Sequence, residues 1–257
     1  MKHIIIFLIV LFIYIHWANQ YKTSEDLEIY ETDFKSNKHL NEICDLRQPV
    51  VFQYAVQTIP IPATVKIKDI TDIETDEHVY LDDKSANTLI CSDTKSRYYS
   101  EGNDVEPVND PNLKPFLTVR TKCDVLFGSQ NARTAMKYHT NSRLFISVNT
   151  GKIQVKMTPY KSRRFLKLFN DNGIFRSKMD VWVPQNKYQA DYEQIKFLEF
   201  DVDKGSVLYV PPYWFYSIRF TTPETIVGEI VYNTPINLIA FLPSAIIGTA
   251  LFSPQTV

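Results

Sequence analysis

Glycine is scarce in this chain, and its scarcity excludes several classes of function. The 257 residues contain only 7 glycines, the first of which is Gly102. Because phosphate-cradling loops need closely spaced glycines, the sequence holds no dinucleotide-binding loop and no P-loop. Cysteine is also rare, and the wide, irregular spacing of Cys44, Cys91 and Cys123 excludes a disulfide framework and a paired-cysteine zinc site. We expect three buried or partly buried thiols, or one disulfide and one thiol in an oxidising compartment.

The chain also lacks an excess of charge of either sign. It has 28 basic and 29 acidic residues, a net charge of −1, which predicts no broad attraction to nucleic acid. No Asn-x-Ser/Thr glycosylation site is present. Aromatic residues are abundant, with 15 tyrosines and 16 phenylalanines, and these favour strands over helices. The length suits one large domain with a substantial core.

A long apolar run stands at the N-terminus. Residues Ile4 to Ile15 are uninterrupted by polar side chains, and His16, Trp17 and Ala18 extend the run. This length lies between a signal-peptide core and a bare membrane span. We expect residues 1–18 to be an uncleaved, single-pass membrane anchor that contacts lipid through residues 4–18. Secretion after cleavage of a signal peptide is the alternative.

Three further regions follow the apolar run. Residues 19–33 are polar and acidic and predict a stalk, or a first short helix, ahead of a domain at 34–235. The tail, residues 236–257, begins with a charge-free stretch that Pro243 divides into halves too short to span a membrane. We expect a helical tail that is buried or forms a homodimer, with a second membrane contact as the alternative.

Strand signals dominate the domain. His39 to Leu46 predicts a helix that leads into a first strand near Gln53, and Ser162 to Phe169 predicts a second short helix. Residues 92–115 are typical of a long loop. Short strands are predicted at Thr64–Ile67, His78–Leu81, Leu144–Val148, Ile153–Met157, Val181–Val183, Phe197–Val202, Val207–Val210, Ser217–Phe220 and Ile226–Tyr232. This spacing indicates a sandwich or barrel rather than βαβ units.

Three segments, in this order, match a pattern known from metal-dependent oxygenases. They are residues 41–53 (NEICDLRQPVVFQ), residues 128–152 (from Gly128 to Lys152) and residues 206–218 (SVLYVPPYWFYSI). Together they resemble the cupin-like, JmjC-type oxygenases of the 2-oxoglutarate oxygenase superfamily. The resemblance implies a mainly β fold with flanking helices, namely a double-stranded β-helix (jelly roll). It also implies a mononuclear iron held by two histidines and one carboxylate.

The resemblance places the metal ligands at positions where this chain has other residues. In the ungapped register, Lys137 takes the first histidine position, His139 the carboxylate position and Tyr216 the distal histidine position. Thr134 and Lys152 fall at the positions of co-substrate-binding residues. A register shifted by two instead places His139 at the first histidine and Asn141 at the carboxylate.

In either register the iron site is degenerate, so we expect no metal ligand set and no catalytic residue. A lysine offers a metal no lone pair while protonated. Our hypothesis is that Lys137 replaces part of the metal's positive charge, with Tyr216 as its hydrogen-bond partner. The alternative is that Lys137 points to solvent.

The sequence therefore predicts a membrane-anchored, non-catalytic, cupin-like binding or structural protein with no cofactor, suited to a viral envelope or an organelle surface. The alternative is a hydroxylase dependent on Fe(II) and 2-oxoglutarate that uses His139 with atypical ligands such as Asp180, Asp201 or Asp203. A third interpretation is a small-molecule or carbohydrate-binding module that keeps only the barrel cavity.

Overall fold

The structure, a computed structural model, describes residues 2–56, 110–128, 130–171, 174–223 and 225–240. Helices are few among these residues. They comprise α1 (Lys2–Gln20), α2 (Asn37–Cys44), α3 (Gln189–Tyr192) and two 3-10 helices, Tyr160–Arg164 and Asn186–Tyr188. Residues 235–240 are also helical; we call them the C-terminal segment.

Strands are the main regular secondary structure of the described domain, and they form two six-stranded sheets. The strands are β1 (Tyr30–Asp33), β2 (Val50–Gln53), β3 (Arg120–Gly128), β4 (Lys137–Tyr138), β5 (Arg143–Thr150), β6 (Lys152–Thr158), β7 (Leu168–Asp171), β8 (Ile174–Ser177), β9 (Leu198–Asp203), β10 (Ser206–Val210), β11 (Phe215–Phe220) and β12 (Thr225–Asn233).

The order of the strands defines the fold. One sheet, the major sheet, runs β1-β2-β10-β5-β12-β3, and the other, the minor sheet, runs β7-β8-β4-β11-β6-β9. If β3, β4, β5, β6, β9, β10, β11 and β12 are counted as strands one to eight, the sheets read 1-8-3-6 and 2-7-4-5. This is the order of an eight-stranded jelly roll, the double-stranded β-helix. The topology therefore confirms the mainly β, two-sheet part of the predicted fold class.

The space between the sheets is filled by apolar side chains from alternate strand positions. On β6, Ile153, Val155 and Met157 face inward and are fully buried. They pack with residues such as Ile146 of β5 and Val227 of β12 from the opposite sheet. The period-two alternation of a strand puts the remaining β6 side chains on the outer face of the minor sheet.

The outer face of the major sheet is covered by α2. Ser36 caps this helix by accepting a hydrogen bond from the His39 amide, as expected for a serine at an N-cap. The apolar side of α2 buries Leu40 and Ile43 in a cluster that also contains Phe145. The predicted helix at 39–46 and the strand that follows it are thus confirmed.

Several other predictions are confirmed and some are wrong. Six of the predicted strands correspond to β5, β6, β9, β10, β11 and β12. The strand predicted at Val181–Val183 is wrong. Asp180 Oδ1 accepts hydrogen bonds from the backbone amides of Trp182 and Val183, and these bonds fix a turn there. The helix predicted at 162–169 is a 3-10 helix, Tyr160–Arg164, followed by β7.

Some predictions concern residues that the structure does not describe. The strands at 64–67 and 78–81, the third thiol at Cys91, most of the 92–115 loop and most of the C-terminal tail lie outside the described residues. Cys44 and Cys123 are buried thiols. The segment predicted as a stalk contains β1, which pairs in parallel with β2.

A helix, α1, is present at the N-terminus, and several of its apolar side chains are exposed. Residues such as Ile4, Phe7 and Val10 are more than half exposed. Within the part of the chain that the structure describes, no helix reaches the length and hydropathy needed to cross a membrane. The end of α1 is tied to the C-terminal segment, since Tyr21 Oη donates to the Ala240 carbonyl at 2.6 Å and Asn237 Nδ2 donates to Gln20 Oε1 at 3.4 Å.

Two glycine turns connect consecutive strands in contrasting surroundings. Gly151 joins β5 of the major sheet to β6 of the minor sheet with a φ of +74°. A Cβ there would lie 2.3 Å from Thr225 Oγ1 and 2.5 Å from Thr222 Oγ1, so only glycine fits. Gly205, between β9 and β10, also has a positive φ, but its nearest neighbour for a Cβ is Gln53 Oε1 at 3.8 Å.

Candidate functional site

The two strands that would carry metal ligands lie side by side. β4 pairs antiparallel with β11, and Lys137 is directly opposite Tyr216. The side chains of directly opposed residues lie on the same face of a sheet. Tyr216 belongs to the buried cluster between the sheets, so both residues face the interior. The structure therefore brings together two of the positions that the resemblance selected.

Lys137 is buried rather than directed to solvent. Its Nζ atom lies 5.0 Å from the centre of the Tyr216 ring and 3.7 Å from Glu229 Oε2 of β12. Only 7% of the lysine side chain and 11% of the glutamate side chain is exposed. Tyr216 Oη completes the group by donating a long hydrogen bond of 3.4 Å to Glu229 Oε1. Lys137, Tyr216 and Glu229 form what we call the interior triad.

His139 lies beside the triad, where the chain leaves β4. Its ring centre is 6.4 Å from that of Tyr216, and its Nε2 atom is 3.0 Å from the Val210 carbonyl. The pKa of His139 is lowered to about 3, chiefly by burial and in smaller part by the positive charges of Lys137 and Arg47, whereas the bond to Val210 opposes the shift. The ring is therefore neutral near pH 7, with Nε2–H donating to Val210. Its Nδ1 atom has no hydrogen-bond partner among the described residues.

Glu229 is the functional candidate that sequence analysis missed. It belongs to the predicted strand Ile226–Tyr232, but its position opposite Lys137 follows only from the pairing of β12 with β5 and β3. Asp124 of β3 is directly across from Glu229 in that pairing, which places it on the same face of the major sheet. The one signal available in the sequence is that Glu229 interrupts the apolar run of β12.

Thr134 and Lys152, the candidate co-substrate residues, do not join the interior triad. Thr134 is buried, and its Oγ1 and carbonyl accept hydrogen bonds from the Ile218 amide at 3.0 Å and Ser217 Oγ at 2.6 Å. Lys152 is partly exposed at the outer face of β6, where Nζ forms ion pairs with Asp201 at 2.9 Å and Asp203 at 3.2 Å. Lys152 is the sequence neighbour of the inward-facing Ile153. Because successive side chains of a strand point to opposite faces, Lys152 points away from the interior.

The alternative ligands from the sequence are engaged elsewhere. Asp180 forms a buried ion pair with Arg133 at 2.8 Å, while Asp201 and Asp203 bind Lys152 at the surface. Asn141, the carboxylate position of the shifted register, is partly buried in the bend before β5. In the described ranges no three His, Cys, Asp or Glu side chains are grouped as a metal site would require.

The residues at this position do not fit a ferrous ion. Iron of this class needs two imidazoles and a carboxylate on one side of the metal. Here a lysine ammonium lies within 3.7 Å of the one carboxylate of the triad, and it would repel a divalent cation. The neutral His139 ring has one nitrogen bound to the Val210 carbonyl.

Comparison with known proteins gives only partial matches. No protein-family model and no curated protein matches the chain. Among solved structures it is similar to the coconut allergen cocosin (10% identity, TM-score 0.28, 45% of this chain and 22% of that one) and to RmlC from Streptococcus suis in complex with dTDP-D-xylose (10%, 0.29, 44% and 44%). A third is an oxalate decarboxylase variant from Bacillus subtilis (12%, 0.28, 44% and 21%).

These structures are cupin-family proteins, and the chain covers less than half the length of each. The scores are too low to carry an argument about function. The strand order is what makes this domain cupin-like.

Proposed function

We propose that this chain is a membrane-attached, cupin-like domain related to the JmjC-type oxygenases that acts by binding or by structure rather than by iron chemistry. The interior triad is the observation that supports the proposal. It occupies the paired positions of β4 and β11 and supplies its own cation.

The physical argument rests on charge. An isolated charge between two apolar sheets is strongly unfavourable, so a buried glutamate requires a cation or a proton. In an iron site the metal is that cation. Here the ammonium of Lys137, 3.7 Å from Glu229 Oε2, takes its place, and the Tyr216 ring below it adds a cation–π contact. Within the triad, the charge of Glu229 therefore has a cation partner without a metal.

Membrane attachment is supported by α1. Its exposed apolar side chains, which include Ile4, Phe7, Leu8 and Val10, form a surface far larger than scattered apolar residues would make. Burying such side chains in lipid is favourable by about 1.5–3 kcal/mol each. The helix leaves the domain at Tyr21, beside the C-terminal segment.

The metal content of the purified protein tests the proposal that this domain does not use iron. We expect iron and manganese far below one equivalent after anaerobic purification. The matched control is a triple variant, Lys137→His/His139→Asp/Tyr216→His, which restores the ligand types of the ungapped register. Metal in the control but not in the natural protein would assign the loss to these three positions. Stoichiometric metal in the natural protein would overturn the proposal.

A hydroxylase dependent on Fe(II) and 2-oxoglutarate is the second candidate. Glu229 favours it, because this residue brings to the interior the carboxylate that β4 lacks. That function requires Fe(II) together with 2-oxoglutarate to raise the unfolding temperature of the natural protein, and Glu229→Gln to abolish the increase.

Alkaline carbonate extraction of cell membranes tests the attachment. We expect the full chain to stay in the pellet and the variant Ile6→Asp/Val10→Asp, which places two charges in the exposed face of α1, to be released. Release of the natural chain would contradict integral insertion by α1.

A further inference from the structure

A second exposed apolar surface lies in the domain itself, at residues 114–120, which we call the Phe116 loop. Phe116 is 84% exposed, Leu117 62% and Val119 58%. The loop leads directly into β3, the edge strand of the major sheet. Three large apolar side chains at one tip are more than a soluble surface ordinarily shows.

The backbone holds these side chains outward at an energetic cost. Leu117 has a φ of +59°, a left-handed conformation that is unfavourable by about 1–2 kcal/mol for a residue with a side chain. The turn is fixed by Thr118 Oγ1, which donates to the Pro115 carbonyl at 2.8 Å. Strain of this kind persists where it serves a purpose, and here it presents Phe116 and Leu117 to the exterior.

The Phe116 loop is connected to the region where α1 leaves the domain. The Val119 amide donates to the Asn233 carbonyl at 3.0 Å, and one residue, Thr234, separates Asn233 from the C-terminal segment. In that segment Ile239 is exposed, and Tyr21 Oη binds the Ala240 carbonyl. Loop, segment and helix end are therefore linked by successive contacts.

Basic residues surround the apolar tip. Lys114 precedes it, and Arg120 and Lys122 follow it, while the segment from Lys114 to Lys122 has no acidic residue. Apolar side chains flanked by basic ones are typical of protein surfaces that enter the headgroup layer of anionic membranes. The basic border favours an anionic headgroup layer over an uncharged surface.

We propose that the Phe116 loop inserts into the headgroup layer of an anionic bilayer beside α1, so that the domain rests on the membrane rather than standing away from it. This inference depends on the proposed attachment through α1. It adds a second contact that fixes the orientation of the barrel.

Environment-sensitive fluorophores on the full chain in vesicles of phosphatidylcholine and phosphatidylserine test the inference. Three single-label variants, Leu117→Cys, Ile6→Cys and Val183→Cys, are made in a Cys91→Ser background, because Cys44 and Cys123 are buried. Val183 is the matched control, since it is 56% exposed but lies in the turn covering the minor sheet. We expect a blue shift and quenching by brominated lipid at positions 6 and 117, and neither at 183.

The outcomes separate the inference from the proposed function. Quenching at position 6 but not at 117 would overturn the inference and leave the attachment by α1 intact. Quenching at neither position would overturn both. A blue shift at 117 without quenching, lost when the protein is diluted in the vesicles, would indicate contact with a second copy and overturn the lipid assignment.

The charge component has its own control. Arg120→Glu should lose most of the quenching at position 117 while position 6 is unchanged, and high salt should have the same effect because it screens exposed charges. Equal quenching at 117 in vesicles of phosphatidylcholine alone would overturn the role of anionic lipid.

Discussion

Two buried lysines, on opposite faces of the minor sheet, have their positive charges stabilised in different ways. Lys137 faces the interior and lies 5.0 Å from the Tyr216 ring. Lys156 of β6 faces outward beneath the turn at 180–183 and lies 4.7 Å from the Trp182 ring. Each lysine side chain is 7% exposed and each has a glutamate partner.

The partners differ in their access to water. Glu199, at 3.3 Å from Lys156, is 42% exposed, whereas Glu229 is 11% exposed. Lys156 also donates to the Val181 carbonyl at 3.0 Å, so its ammonium binds both a backbone carbonyl and a solvent-exposed carboxylate. Lys137 shares its surroundings with a carboxylate that has also lost its water. In the interior pair both charges are cut off from water and each is stabilised by the other, whereas on the outer face Glu199 remains solvated.

Removing the interior carboxylate should have the largest effect. Glu229→Gln leaves Lys137 buried without its counter-charge, which should lower the free energy of unfolding by about 3–5 kcal/mol. Chemical denaturation measures this. The same change on the outer face, Glu199→Gln, should lower it by less than about 1 kcal/mol, because that pair is partly exposed.

Replacing both interior charges sharpens the result. Lys137→Met/Glu229→Gln should recover most of the lost stability, since an apolar substitute avoids the desolvation of both ions. Equal losses for Glu229→Gln and Glu199→Gln would erase the distinction between the two lysines.

Acid should destabilise the interior more than the outer face. His139 is neutral in the fold with a pKa of about 3, below the usual 6.5, so the unfolded chain binds one more proton between these values. The contribution of His139 to the free energy of unfolding is complete above pH 6.5 and should fall by about 1.4 kcal/mol for each pH unit below it. His139→Asn should remove this part of the slope of unfolding free energy against pH. An unchanged slope would show that the ring does not stay neutral in the fold.

The outer face should respond more weakly to loss of its indole hydrogen bond. Trp182 Nε1 donates to Ser217 Oγ at 2.8 Å, and the ring makes cation–π contacts with Lys156 and Arg219. Trp182→Phe keeps an aromatic face but removes the donor, which should lower the unfolding free energy by about 1 kcal/mol. Thermal unfolding checks this, with Val183→Ala as the exposed control. A loss as large as that of Glu229→Gln would contradict the ranking.

Surface ion pairs should have the smallest effect. Lys152 binds Asp201 and Asp203, and these hydrogen bonds raise its pKa. Lys152→Met should change thermal stability by no more than scan-to-scan variation, because exposed pairs are screened by water and salt. A substantial loss would mean that this lysine has a role beyond the surface.

The strands that are continuous apolar runs could be predicted from sequence, including β12 despite its inner Glu229, whereas strands that are short or rich in charged residues could not. β10 and β12 are rich in valine, isoleucine and leucine and were predicted nearly to their ends. β3 was missed because charged residues occupy three of its first five positions, 120, 122 and 124, although Asp124 shares a face with the buried Leu126. β1 is too short and polar to give a signal before its pairing with β2 is known.

The site was predictable in its strand positions but not in its chemistry. Lys137 and Tyr216 could be selected because a pattern along the chain marks β4 and β11. Glu229 lies on a strand more than ninety residues beyond Lys137, and no local pattern reports which residues face each other across two sheets. The register of β12 against β3 and β5 decides that, and register depends on the whole fold.

The two glycine turns have a practical consequence for engineering this protein. Gly151 sits between two threonine hydroxyls that would collide with any added atom, so an epitope or fluorescent domain inserted there would separate the major and minor sheets at their junction. Gly205 also lies where the chain passes from one sheet to the other, but its two-residue turn between β9 and β10 is exposed and an added Cβ would meet no atom closer than 3.8 Å. An insertion directly before Lys204, which keeps the hydrogen bonds of Gly205 to Val148 and Tyr54, should leave the barrel closed, and this turn is therefore the place to attach a reporter.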